Sequence, residues 1–358
     1  MGQAELASAL EEDDFRVRSR PGGRALHLYG AIAPRQLARR ILASDPLYAL
    51  LMAHAQRGRP ITVLCYHTLR PDHEQIDVWT AVRQRDFVRQ MQFLRAHYDI
   101  VSLDEAFADD GARSGRPRAV VTFDDGDTGL FDGVLPLVED LRIPVTLYIA
   151  TGEIESGQPY WFDTVMNALQ AEGAFTIDLA AAGLPVWRVG RDLGPARWAL
   201  ISQILETLKR APPADRPALT SAVIAQAPPR REGRFKPLQP LSIAQLKELA
   251  KSDWITIAAH SHCHSLLDRI PSADARASVR KSRRLLEDWT GRPVRHFAYP
   301  NGNHTAAVQA IVSDAGLVSA MALGGRLWRR GANRFALPRI SIGRYDDFDR
   351  FKLRLAEV

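Results

Sequence analysis

Three histidines and a cysteine crowd into the stretch AAHSHCHSLL (258–267): His260, His262, Cys263 and His264. A second stretch, VVTFDDGDTG (120–129), runs from apolar residues straight into the carboxylates Asp124, Asp125 and Asp127. Neutral imidazole nitrogens are preferred ligands for zinc and related divalent metals. Carboxylates this close repel one another and resist burial unless a cation sits among them. A carboxylate joined to two histidines makes a three-ligand site with a position left for water, which is the catalytic rather than the closed structural pattern. The two stretches together predict a divalent metal centre.

Which residues ligate is open at this level. The i, i+4 pair His260 and His264 suits one helical turn, whereas an extended strand puts residues 260, 262 and 264 on one face. A strand that ends at His260 and then turns helical brings His260 and His264 together and sends His262 elsewhere. His262 and Cys263 are themselves competent ligands.

These residues need a scaffold, and the flanking pattern supplies one. ITVLCYH (61–67), RAVVTFDD (118–125), PVTLYIAT (144–151), WITIAAH (254–260), RHFAYP (295–300) and LVSAMAL (317–323) have strand composition, with LPRISI (337–342) as a last strand. Between them lie helical runs. RDFVRQMQFLRAH (85–97) carries a stripe of Phe87, Val88, Met91 and Leu94, and LFDGVLPLVEDL (130–141), DARASVRKSRRLLEDW (274–289) and HTAAVQAIVSDAG (304–316) follow suit. LSIAQLKELAK (241–251) opens with Ser242 and Gln245, a capping-box pair. Alternation of this kind implies parallel strands with helical crossovers. The expected fold is α/β, a distorted or incomplete (β/α) barrel with its active groups at the C-terminal ends of the strands. His67, Asp124 with Asp125, His260 and the Tyr299 segment fall at four such ends.

The barrel is expected over residues 59–358. Its rhythm breaks at about 153–240, which shows no clear strand, contains APPADRP and has one good helical run, RWALISQILETLKR (197–210). That region reads as a largely helical insertion. Residues 1–58 read as an extension, a polar tail followed by RQLARRILASDPLYALLMAHAQRGR, whose apolar spacing suits a helix packed on the core.

Composition excludes several classes. The apolar fraction of 46% and charged fraction of 25% are those of an ordinary globular chain. No apolar run is long enough for a transmembrane helix, and the start lacks a basic region followed by an apolar one, so a cytoplasmic protein is expected. The net charge of +6 raises nucleic acid as a partner. However, the arginines are spread along the chain and no groove-reading motif accompanies them, so none is expected. Two cysteines, Cys65 and Cys263, exclude a disulfide scaffold and a zinc ribbon; on this fold both thiols are expected near one pocket.

TFDDG (122–126), HSHCH (260–264) and FAYPNG (297–302), in this order and each after a strand, resemble the polysaccharide deacetylases, carbohydrate esterase family 4. The resemblance covers residues 60–152 and 241–345. It implies that Asp125, His260 and His264 bind a divalent metal, usually zinc, with Asp124 as catalytic base. It further implies removal of acetyl groups from amino sugars or sugar hydroxyls, with the N–H of Tyr299, beside Pro300, as oxyanion donor. His67 is the candidate acid, because a branch of the family carries a Y-H strand end at its N-terminal edge in a circularly permuted arrangement. The family's third motif commonly holds an arginine that pairs with the base, where this chain has Ala298; Arg295, Arg339 and Arg344 are the candidate replacements. Tyr160 and Trp161, in PYWFD, and Arg339 are candidate substrate contacts. Asp127 reads as a loop or cap residue, and His304 as a residue near a helix start. The leading expectation is N-deacetylation of a bacterial saccharide. An O-acetyl esterase and a non-catalytic saccharide-binding protein are the competitors.

Overall fold

A computed structural model describes residues 34–74, 78–108, 115–212, 214–229 and 238–358. Its centre is a sheet of eight strands: β1 (Ile61–Tyr66), β2 (Asp99–Ile100), β3 (Arg118–Phe123), β4 (Val145–Ile149), β5 (Ile255–Ala259), β6 (His296–Ala298), β7 (Ser319–Met321) and β8 (Ile340–Ser341). The order is β7-β6-β5-β4-β3-β1-β8, with β2 also on β3, and every pairing is parallel. A parallel bridge from Met321 to Leu337, just before β8, joins the two ends of this order. The sheet thus curls into the expected distorted α/β barrel, and all strand C-termini face one rim.

Both faces of the strands are covered, which is why they read as apolar runs without alternation. Val63, Val120, Tyr148, Ala258, Ala298 and Met321 fill the barrel interior, whose lower end is plugged by Leu103 and Ala106 of the short helix Leu103–Phe107. Their neighbours Leu64, Tyr66, Val121 and Phe123 belong to the core beneath the outer helices. Gln84–His97 buries Phe87, Met91 and Leu94 as its stripe requires, whereas Val88 is half-buried and Gln90 replaces it by accepting from the Tyr66 hydroxyl at 2.7 Å. The Ser242–Gln245 capping box is formed at the start of Ile243–Leu249.

The insertion corrects one expectation. Its helices Thr151–Ser156, Trp161–Ala168, Pro195–Arg210 and Arg216–Gln226 are joined by an antiparallel hairpin, Phe175–Asp178 with Val186–Val189. Strands of four residues that bury only Ile177, Trp187 and Val189 are too short to show a period. The insertion has its own apolar core, including Val165, Ile201, Leu205 and Val223. Buried Arg197 ties helix to hairpin by donating to the carbonyls of Leu169 (2.7 Å), Ala171 (2.9 Å), Gly173 (3.1 Å) and Gly190.

The N-terminal helices Pro34–Leu42 and Asp45–Ala55 pack against the last helix, Phe348–Leu355, where Lys352 donates to the Ala43 carbonyl at 2.6 Å. The polar tail expected before them lies outside the described residues. No described helix is long and apolar enough to cross a membrane.

Candidate active site

Asp125, His260 and His264 converge at the rim, each offering a ligand atom within 4.8 Å of the others. Asp125 Oδ1 lies 3.5 Å from His260 Nε2 and 3.2 Å from His264 Nε2. His260 Nδ1 donates to the Ala298 carbonyl at 2.8 Å, which leaves Nε2 as the nitrogen that faces the aspartate. The convergence does not come from a helical turn. Ser261 (φ 64°) and His264 (φ 44°) adopt left-handed backbone, as does Asp125 (φ 75°) opposite them. Such conformations cost of order 1–3 kcal/mol each and cluster where a site is over-determined. His262 points away: its Nε2 accepts from Lys281 Nζ at 2.9 Å, so its Nδ1 donates to Thr151 Oγ1 at 3.0 Å. Cys263 turns to Ser265 and Ser278, at 3.2 and 3.6 Å, so it stays clear of the ligand group.

Asp124 sits beside this group and is held differently. Arg339, fully buried just before β8, grips it with both forks, Nη1 to Oδ1 at 2.6 Å and Nη2 to Oδ2 at 2.7 Å. Thr122 Oγ1 and the Ala322 carbonyl receive two further guanidinium donors at 3.1 and 3.3 Å. Ala298 lines the same barrel interior, so a small side chain on β6 is matched by an arginine entering from the β8 side. Of Arg295, Arg339 and Arg344, Arg339 is therefore the one that pairs with Asp124. It is not a substrate contact, because no part of it reaches the pocket.

Charge follows geometry. Burial raises the Asp124 carboxyl, yet Arg339 and then His260 outweigh it and hold it below the usual carboxylate range. Burial likewise raises Asp125, but hydrogen bonds with His260 and His264 hold it well below that range. A second cluster, Cys65, His67 and Asp124, has similar spacing, with Cys65 Sγ 3.5 Å from Asp124 Oδ2. It is the poorer cation site, because the guanidinium already neutralises Asp124 and burial pushes the Cys65 thiol well up. The donor set Asp125, His260 and His264 is the one that fits a divalent metal.

The other candidates divide. His67 lines the pocket beside Asp124, and its buried Nδ1 has no partner among the described residues. Burial lowers its pKa, against the pull of Asp125 and Asp124. The Tyr299 N–H donates to the Met321 carbonyl at 3.0 Å, so it belongs to the β6–β7 ladder and is not an oxyanion donor. Its hydroxyl donates to the Phe335 carbonyl at 2.9 Å, and its ring stacks on His304, while Pro300 is buried behind it. Tyr160 is wholly buried and Trp161 lies under Arg216, so neither is placed to stack on a sugar; their neighbour Phe162 lines the pocket instead. Asp127 accepts from Thr68 Oγ1 at 2.8 Å and the Gly129 N–H at 2.7 Å and is pushed up to about 7 by burial, so it is a loop staple. The sequence offered no signal for Trp79 and Lys209, and Asn301 was noted only as part of FAYPNG; the three line the pocket from separate segments.

A curled parallel barrel thus gathers two histidines, the aspartate beside them and an arginine-held aspartate at one rim. Residues 218–320 match the family described as polysaccharide deacetylase. No curated protein matches the chain in sequence. Among solved structures, the fold is similar to that of the Streptococcus pyogenes deacetylase PplD in complex with acetate, with a TM-score of 0.55 and 13% identity over 83% of this chain and 98% of that one. It is also similar to IcaB from Ammonifex degensii (TM-score 0.52, 16% identity, 84% and 98% covered). A third is BC0361, a polysaccharide deacetylase from Bacillus cereus (TM-score 0.52, 16% identity, 83% and 69% covered). The chain thus carries a segment that matches the polysaccharide deacetylase family, on a fold shared with these solved structures.

Proposed function

We propose that this protein is a divalent-metal-dependent enzyme that removes acetyl groups from the nitrogen of amino sugars in a saccharide. The observation that carries this reading is the pairing, on one rim, of the Asp125–His260–His264 group with a second aspartate that Arg339 keeps apart from it. When bound by Asp125, His260 and His264, a metal such as zinc would supply the Lewis acidity that ionises water near neutral pH.

The chain's own residues account for the proton movements. Asp124, kept ionised and fixed in rotation by the bidentate guanidinium, takes the proton from the attacking water. Arg339 lies on the side of Asp124 away from the pocket, so it orients the carboxylate without meeting substrate. His67, with its Nδ1 uncommitted beside Asp124, is placed to take up the proton that Asp124 has removed from the water and pass it to the departing nitrogen. An amide leaving group requires that proton far more than an ester does, so a separate acid beside the base favours N-deacetylation over O-deacetylation.

The test is release of free amine and acetate from N-acetylglucosamine oligomers by metal-stripped protein, before and after zinc is restored. Amine release that appears only with metal is the expected result. Acetate from an O-acetyl sugar alone would replace this reading with an esterase. Binding without turnover in the loaded protein would replace it with a saccharide-binding role.

A further inference from the structure

The insertion leaves the barrel after β4 and returns before β5, but it does not stay over that gap. On the β3 side, Pro240 bridges to Asp127, the Thr128 N–H donates to the Gln239 carbonyl at 2.9 Å, and the Leu241 N–H donates to Gly126 at 2.9 Å. Over the β5 loop, the Phe162 ring lies 5.1 Å from that of His264, and buried Arg216 donates to Ser265 Oγ at 3.2 Å. Farther on, Lys209 crosses to the loop after β6 and donates to Asn301 Oδ1 at 3.1 Å, while its charge is met by Glu206 at 2.8 Å. In the opposite direction, Trp198 meets Trp79, from the segment after β1, edge-on at 5.7 Å.

These contacts follow the ring of strands in order: β1, β3, β4, β5, β6. The contacts named do not extend to the β7–β8 arc, whose Leu323 lines the pocket. The pocket is thereby walled by Phe162, Met166, Leu205, Lys209 and Leu238 of the insertion, facing the rim carboxylates and histidines. A sugar inside a polymer has a neighbour on each side and needs two exits from the site. A terminal sugar or a single sugar needs one.

We propose that this roof makes the protein act end-on, deacetylating a single acetylated sugar or the terminal residue of a chain and not internal residues of a polymer. The inference rests on the deacetylase reading above. Lys209 is charge-compensated where it faces the pocket, so the roof offers neutral hydrogen bonding to ring hydroxyls rather than a pull on an acidic sugar.

The experiment uses the zinc-loaded full chain with N-acetylglucosamine and its β-1,4 and β-1,6 oligomers from dimer to hexamer, with products mapped by fragmentation mass spectrometry. A single acetyl lost per chain, always at the same terminus, with kcat/KM flat or falling with length, is the expected result. Loss of internal acetyls, or kcat/KM rising about tenfold or more with length, overturns the end-on proposal and leaves the deacetylase reading standing. Absence of acetate from every saccharide removes both. Lys209→Ala with Trp79→Ala, which loosens the roof on two sides, is expected to bring internal products into view. An unchanged terminal-only pattern in a folded double variant overturns the roof as its cause.

Discussion

Replacing Arg339 with methionine removes a cation from a position where no water can replace it. Arg339 is fully buried and Asp124 is 4% exposed, and the two bonds lost, at 2.6 and 2.7 Å, are both charge-assisted. Removing one partner of such a pair leaves an uncompensated buried charge, at about 3–5 kcal/mol. Solvent screening gives no relief at this depth. Arg339→Met should therefore unfold at lower denaturant concentration by roughly that free energy. The double variant Asp124→Asn/Arg339→Met should recover part of the loss, with a coupling of about 1–3 kcal/mol, because no charge is then stranded. Turnover should fall about 10²–10⁴-fold in Arg339→Met, the range for a mispositioned general base. Arg339→Lys keeps a charge but only one donor direction, and should lie between. Urea unfolding of wild type, these three variants and the single variant Asp124→Asn, with kcat measured beside it, decides the matter. A loss under about 1 kcal/mol with near wild-type kcat would refute the role given to Arg339.

Other expectations can be checked more briefly. A Cβ on Gly152 would stand 2.5 Å from the His262 carbonyl oxygen, to which the Gly152 N–H already donates at 2.7 Å. Gly152→Ala should displace the loop between His260 and His264 and weaken zinc binding about 10–100-fold, read by competition with a chromophoric chelator. His296 is buried between Ser319 Oγ at 2.8 Å and Asp104 Oδ1 at 3.2 Å, and burial lowers its pKa in spite of Asp104. Protonation therefore favours the unfolded chain, so its contribution is complete above about pH 6.5 and is lost as pH falls below that value. Wild type should lose stability between neutral pH and pH 5 more steeply than His296→Gln; equal slopes would contradict this.

Much of the barrel could be read because its strands are buried on both faces and separated by well-patterned helices. ITVLCY and VTLYI needed no partner information to look like strands. The ligand candidates were readable for a related reason, since His260, Asp124 and Asp125 immediately follow strand ends and all ends of a parallel barrel share one rim. Arg339 could not be chosen over Arg295 and Arg344, because its partner is 215 positions away and the choice depends on how β8 closes against β1. The hairpin in the insertion escaped because its strands bury too few residues to show a period. Tyr299 misled for a backbone reason: whether an N–H is free depends on ladder register, and β6 pairs with β7 just where that N–H points. The roof was equally hidden, since Lys209, Asn301 and Trp79 are brought together only by the return path of the insertion.

Zinc content measured beside turnover tests the division of labour between the adjacent aspartates directly. Wild type, Asp125→Ala and Asp124→Ala would be loaded identically, desalted and analysed for bound metal. Asp125→Ala should lose the metal, while Asp124→Ala should keep it and lose turnover. Equal metal in wild type and Asp125→Ala, or full activity in Asp124→Ala, would contradict it.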